Sequence, residues 1–159
     1  MFDPRAYGDV VANILALDGN GQRLMPLVRT PRGLPGAREL ISSAKVTPLQ
    51  RAALYVYCDL WNDAHETAQE IDTPDGSYWH AIVHRQEPDP GNAAYWFRQV
   101  GTHPIFPALR TAAAEIGLPV GPAWDPFAFI DYSTRAAPAS PEDLLARRVQ
   151  LAEWQLLFK

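Results

Sequence analysis

Thr47-Pro48-Leu49-Gln50-Arg51-Ala52-Ala53-Leu54-Tyr55-Val56 opens with a hydroxyl, a proline and, three residues after the hydroxyl, a side-chain amide. Each suits a helix start. The threonine oxygen accepts from an orphan backbone N–H, proline fits the first helical position without losing a hydrogen bond, and Gln50 can close a capping box. Behind this start Leu49, Ala52, Ala53, Val56 and Leu60 recur at helical spacing, followed by Ala64, Ala68 and Ile71. A capping residue before proline returns at Asp3-Pro4, Asp89-Pro90, Asp125-Pro126 and Ser140-Pro141, the last with Asp143 three residues on. Much of the unusual proline content, 15 residues, therefore reads as helix starts, and the expected fold class is all-α.

The periodicity outside this stretch agrees. Tyr7, Val10, Val11, Ile14 and Leu15 form a stripe before Gly19; Ala93, Trp96, Phe97 and Val100 form one before Gly101; Phe106, Leu109, Ala113 and Ile116 form one before Gly117. A last helix opens at Ser140, with Leu144, Leu145, Val149, Leu151, Ala152, Leu156 and Leu157 over a broad apolar face. Asp18-Gly19-Asn20-Gly21, between Ile14–Leu17 and Leu24–Val28, also fits a β-hairpin turn. The stripe that begins at Tyr7 favours helix then loop. Short breaks at Asp59–Asn62, Thr73–Gly76 and Pro88–Pro90 divide residues 48–101 into about four helices, which such loops fold antiparallel. The expected architecture is one helical domain over residues 1–159, built from antiparallel pairs around 48–116 with flanking terminal helices. Ala93, Phe97, Gly101 and Pro104 are similar to the second helix of a tetratricopeptide unit. The weak internal offset of 29 residues, pairing Ala52 with Ala81 and Ala64 with Ala93, differs from the ~34 usual for that repeat.

Composition narrows the function classes. The net charge is −4, with 14 basic residues of which only Lys45 and Lys159 are lysine, so no electrostatic footprint for phosphate backbones is visible. The longest apolar run, Ala52–Cys58, is far short of a membrane span, and Met1-Phe2-Asp3-Pro4-Arg5 lacks the basic start and apolar stretch of a secretory signal. Cys58 is alone and sits in that apolar run, as a core thiol in a reducing compartment would. A soluble cytoplasmic protein without membrane or nucleic-acid partners is the expectation.

All four histidines lie between residues 65 and 103. On one helix His80, His84 and Glu87 fall at i, i+4 and i+7, sharing a face. Two imidazoles one turn apart are what a tetrahedral metal takes from a helix, and His65 on the preceding helix is a candidate third ligand for zinc, iron or manganese. The competing reading is a set of hydrogen-bonded histidines tying helices together, with Glu87, Gln69 and Asp89 as nearest partners. Metal-free acid–base use of the histidines is a third. On the metal reading Glu87 or Glu66 is the candidate catalytic carboxylate, as ligand or base. His65-Glu66-Thr67-Ala68-Gln69 looks like a broken zincin signature, but an amide stands where the second imidazole belongs. Beyond His84, Arg85, Asp89, Asn92 and Arg98 surround a helix-turn-helix corner. They either satisfy helix ends, with Asp89 as the cap, or line a ligand site in which Arg85 and Arg98 form an anion clamp beside an aromatic wall, suited to a small acidic ligand. The five tryptophans read as core or interhelix packing.

Trp79-His80-Ala81-Ile82-Val83-His84-Arg85-Gln86-Glu87-Pro88-Asp89 and Asn92-Ala93-Ala94-Tyr95-Trp96-Phe97-Arg98-Gln99-Val100-Gly101-Thr102-His103-Pro104 resemble a family of small bacterial proteins with fungal relatives. The resemblance extends to Ala64-His65, Gln69 and Glu153–Phe158 and covers about half the chain. No activity is attached to that family, so it implies no catalytic roles. Two function classes follow from the residues. One is a helical interaction or ligand-binding module, whose partner is a protein or a small acidic ligand. The other is a metal-dependent hydrolytic enzyme using His65, His80 and His84. With an acidic, lysine-poor surface, no submicromolar, salt-sensitive binding to duplex DNA or RNA is expected in a mobility-shift assay at physiological salt.

Overall fold

A computed structural model describes all 159 residues as nine α-helices without strands, packed antiparallel. A 3-10 turn over Pro4–Tyr7 precedes α1 (Asp9–Leu15), and α2 (Ala37–Ser43), α3 (Pro48–Tyr57), α4 (Trp61–Gln69), α5 (Pro74–Gln86) and α6 (Pro90–Val100) follow. The chain closes with α7 (Phe106–Ile116), α8 (Pro126–Arg135) and α9 (Pro141–Leu157). Asp3, Thr47, Asp89, Asp125 and Ser140 each accept a backbone N–H at a helix start that carries proline in its first turn. Thr47 and Gln50 complete a reciprocal capping box, whereas the Ser140 cap is one-sided. A sixth cap of this kind stands at Thr73-Pro74, so α5 begins at Pro74, inside the break expected over Thr73–Gly76.

Two local features shift the expected pattern. Gly8 has φ +94 and separates the 3-10 turn from α1, so the stripe changes phase there. Val11, Ile14 and Leu15 are buried, Val10 is exposed, and Tyr7 packs against Phe158 with ring centres 4.8 Å apart. Gly19–Gly21 forms a short 3-10 turn, not a hairpin. The Tyr57 hydroxyl holds this turn by accepting from Gly21 N and Arg23 N. Leu24, Met25 and Pro26 find no strand partner because α9 takes their carbonyls: Arg147 donates to Leu24 and Met25, and Gln150 to Met25 and Pro26.

One core of 39 buried residues runs from Val11 to Phe158, so the terminal helices share it with the middle of the chain. Cys58 lies within it, and burial pushes its thiol up to about 12, far from nucleophilic use. At the centre is α5, where every residue from Tyr78 to Gln86 is buried. Its neighbours α4 and α6 flank it, α3 touches it, and α9 reaches it through a polar network. Arg85 pairs with Glu153 at 2.6 Å, both side chains almost wholly out of water. The Tyr78 hydroxyl donates to the same carboxylate at 2.8 Å, and Gln150 accepts from Arg85 and Gln86. The inward face of α9 thus carries Gln150 and Glu153 among Ala146, Val149 and Trp154, while Leu144, expected on the apolar face, is 40% exposed.

The α5–α6 corner is set by Asp89, whose carboxylate accepts from Asn92 N at 3.0 Å. Replacing such a cap by alanine costs about 1 kcal/mol. Asp89→Ala should therefore lower the thermal midpoint by roughly 2–4 °C for a chain of this size, measured by calorimetry.

Candidate metal centre

The site grows out of the α4–α5 pairing. Thr73 accepts from Gly76 N at 3.1 Å and turns the chain back on itself. Gly76 lets the corner close: a Cβ there would collide with the Ile71 carbonyl oxygen. His65 lies about two turns above this corner on α4, and His80 about one turn past it on α5, which brings them to similar heights. His84 follows one turn further along the same face as His80.

The three rings converge. Their centres are 4.9 Å apart for His65 and His80, 5.1 Å for His65 and His84, and 4.7 Å for His80 and His84. Each offers a ring nitrogen, and these atoms all lie within 4.8 Å of one another. His80 and His84 are each 5% exposed, and His65 is half-buried. Two indoles wall the group. Trp61 stacks on His65 with ring centres 5.1 Å apart, and Trp96 stacks on His80 at 4.0 Å. Trp61 is fixed by donating to the Val83 carbonyl at 2.7 Å.

The three imidazoles differ in partners. His84 Nδ1 lies 2.7 Å from Glu87 Oε2, so that nitrogen carries the proton donated to the carboxylate and Nε2 faces elsewhere. His80 Nε2 is buried with no hydrogen-bond partner. Burial, then the neighbouring His84 and His65, hold the His80 imidazole down to about 4. Burial, then His84, also lower His65, against a smaller opposing pull from Glu87 and Glu66. Both rings are therefore neutral at pH 7, with a lone pair to offer.

Of the other residues singled out in the sequence, Glu87 and Asn92 reach the site. The Asn92 side-chain nitrogen is 3.3 Å from Nε2 and 3.4 Å from Nδ1 of His84. Asp89 acts as the α6 cap and Gln69 is exposed; neither side chain bonds a histidine ring, and the Asn92 amide lies beside His84 instead. Glu66 is exposed on α4 beside His65. Arg85 and Arg98 do not converge. Arg85 points from another face of α5 into the core, bound to Glu153 and Gln150 and lying 4.7 Å over the Phe129 ring, whereas Arg98 is exposed and unpaired. His103 stays outside the group, with Nε2 2.6 Å from Asp75 and Nδ1 accepting from Ile105 N. In the sequence Trp61 and Trp96 read as packing residues. Their positions, one turn before His65 and one turn after Asn92, are the signal that aligns them with the site. Comparisons with protein-family models, with curated proteins and with solved structures found no match for the chain.

The buried neutral histidines fix a pH response. His80 titrates near 6.5 when unfolded and at about 4 when folded, so between those values the unfolded chain binds the extra proton. Stability is full above about pH 6.5 and falls as the pH drops toward 4, with His65 acting in the same direction. Thermal midpoints recorded for metal-free protein from pH 7.5 to 5 should decline, and the decline should be shallower in His80→Asn.

Proposed function

We propose that the chain is a small helical metalloprotein in which His65, His80 and His84 hold one divalent first-row ion and leave a coordination position open for a small ligand. The observation that carries this reading is the buried, unpartnered Nε2 of His80 within a group whose ring nitrogens lie within 4.8 Å of one another. A buried polar atom without a partner costs about 1–3 kcal/mol, and a shared ion is what this donor set would satisfy together. Ligand nitrogens at 2.0–2.1 Å around a tetrahedral ion stand roughly 3.4 Å apart, so closing the group needs only side-chain rotation.

The chemistry of the donors supports the same ion class. Three imidazoles suit zinc or iron, with manganese less well matched and magnesium or calcium poorly matched. Glu87 on His84 Nδ1 is the kind of acceptor that orients a ligating histidine and fixes its tautomer. Three neutral ligands with an open position are the pattern of catalytic sites, where a bound ion lets water ionise near neutral pH and supports hydrolysis. The chain's own part is then to orient: Trp61 and Trp96 set the His65 and His80 rings, and Glu66 is the unpartnered carboxylate at the rim. The ligand-binding and hydrolytic readings of the sequence thus meet in one place.

Protein purified without an affinity tag should carry close to one equivalent of zinc, iron or manganese by elemental analysis. Returning the ion to chelator-stripped protein at 100-fold above its dissociation constant should stabilise by about 2.7 kcal/mol. That corresponds to a midpoint rise of roughly 5–10 °C, and His80→Ala should abolish it. Absence of the ion, together with an unchanged midpoint on adding any of the three metals, would overturn the proposal.

A further inference from the structure

An ion held by three neutral imidazoles keeps its full double charge. In a site this buried, such a charge requires an anion close by. Glu87 lies 2.7 Å from His84 Nδ1 and is engaged with that ring, and Glu66 is out in solvent. Neither stands among the converging nitrogens, so the balancing charge comes from an exogenous ligand.

Asn92 indicates what kind. Its side-chain nitrogen is almost equidistant from the two nitrogens of His84, so it lies along the lone-pair direction of neither. Nδ1 is in any case already occupied by Glu87. The Asn92 amide is therefore a donor held beside the His84 ring with no good acceptor. It is also held firmly, because Asn92 N donates to Asp89 at 3.0 Å in the first turn of α6, the end of that helix that favours negative charge. No guanidinium or ammonium completes the set. Arg85 is bound to Glu153, Arg98 is exposed, and Arg29 lies over Trp61 with its guanidinium 4.3 Å from the ring centre. A tetrahedral phosphate, with several charged oxygens to satisfy, lacks its usual partners here. A planar, singly charged group needs only the ion and one donor, and the flat faces of Trp61 and Trp96 flank the histidines.

We infer that the open position takes a small carboxylate, one oxygen on the ion and the other accepting from the Asn92 side-chain amide. This rests on the metal reading above, and it makes Asn92 the residue that selects the ligand.

Cobalt(II) and acetate test it on the full chain. Cobalt added to metal-free protein should give visible absorption bands of a low-coordinate nitrogen site. Acetate should then shift those bands saturably at pH 7, and phosphate at the same concentrations should not. In Asn92→Ala the cobalt bands and cobalt affinity should persist, showing a folded, loaded site, while acetate binds about tenfold or more weakly, as expected for loss of a hydrogen bond to a charged group. Cobalt bands that acetate leaves unmoved, equal acetate affinity in Asn92→Ala, or a response to phosphate in place of acetate would each overturn this inference and leave the metal site standing. Absence of any cobalt band would overturn both.

Discussion

The ion pair between Arg85 and Glu153 is the interaction on which the rest of the structure turns. A helix buried along its whole length, as α5 is from Tyr78 onward, has no solvent face to set its rotation. Apolar contacts alone would tolerate several settings. A guanidinium 2.6 Å from a carboxylate in the core tolerates one, because either charge left alone there would cost several kcal/mol. Tyr78, Gln86 and Gln150 close the remaining hydrogen bonds, so the pair is satisfied, not merely buried. With Arg85 fixed toward α9, the face bearing His80 and His84 is fixed toward α4 and α6. The convergence of three imidazoles is thus a consequence of a polar contact made on another side of the same helix.

How much of this could be seen in the chain follows the range of each interaction. Helix starts were readable because a cap and its proline are adjacent; even the start missed, Thr73-Pro74, has the same form. The shared face of His80 and His84 was readable because one turn of helix is a local rule. The approach of His65 needed only the short α4–α5 corner, and it too was anticipated. Contacts with α9 were not. Arg85 is 68 residues from Glu153, and nothing near either residue announces the other, so the arginine looked free to bind an anion with Arg98. The same blindness applied to the α9 face, read as apolar although Gln150 and Glu153 lie inside it. At the site itself, Trp61 and Trp96 were ambiguous because an indole that packs and an indole that walls a pocket look identical along the chain.

The polar interior of α5 also explains why the site is small and stiff. Each histidine is backed by an aromatic ring or a carboxylate, and Trp61 is itself fastened to the α5 backbone. Residues arranged in this way shift little as a group, so ring rotation alone would complete the site around an ion.

The bonds from α9 to residues 24–26 have a consequence in time. Arg147 and Gln150 satisfy carbonyls laid down more than a hundred positions earlier, and Glu153 neutralises an arginine made long before it. During synthesis the early helices can form as soon as they emerge, because their caps and prolines are local. The contacts that close the core on α9 are of a different range. Without α9 the arginine of α5 has no counter-charge, and the carbonyls of residues 24–26 lose the donors that hold them. Contacts of such sequence separation carry a large loop-closure cost, which sets them apart from the local signals that start each helix.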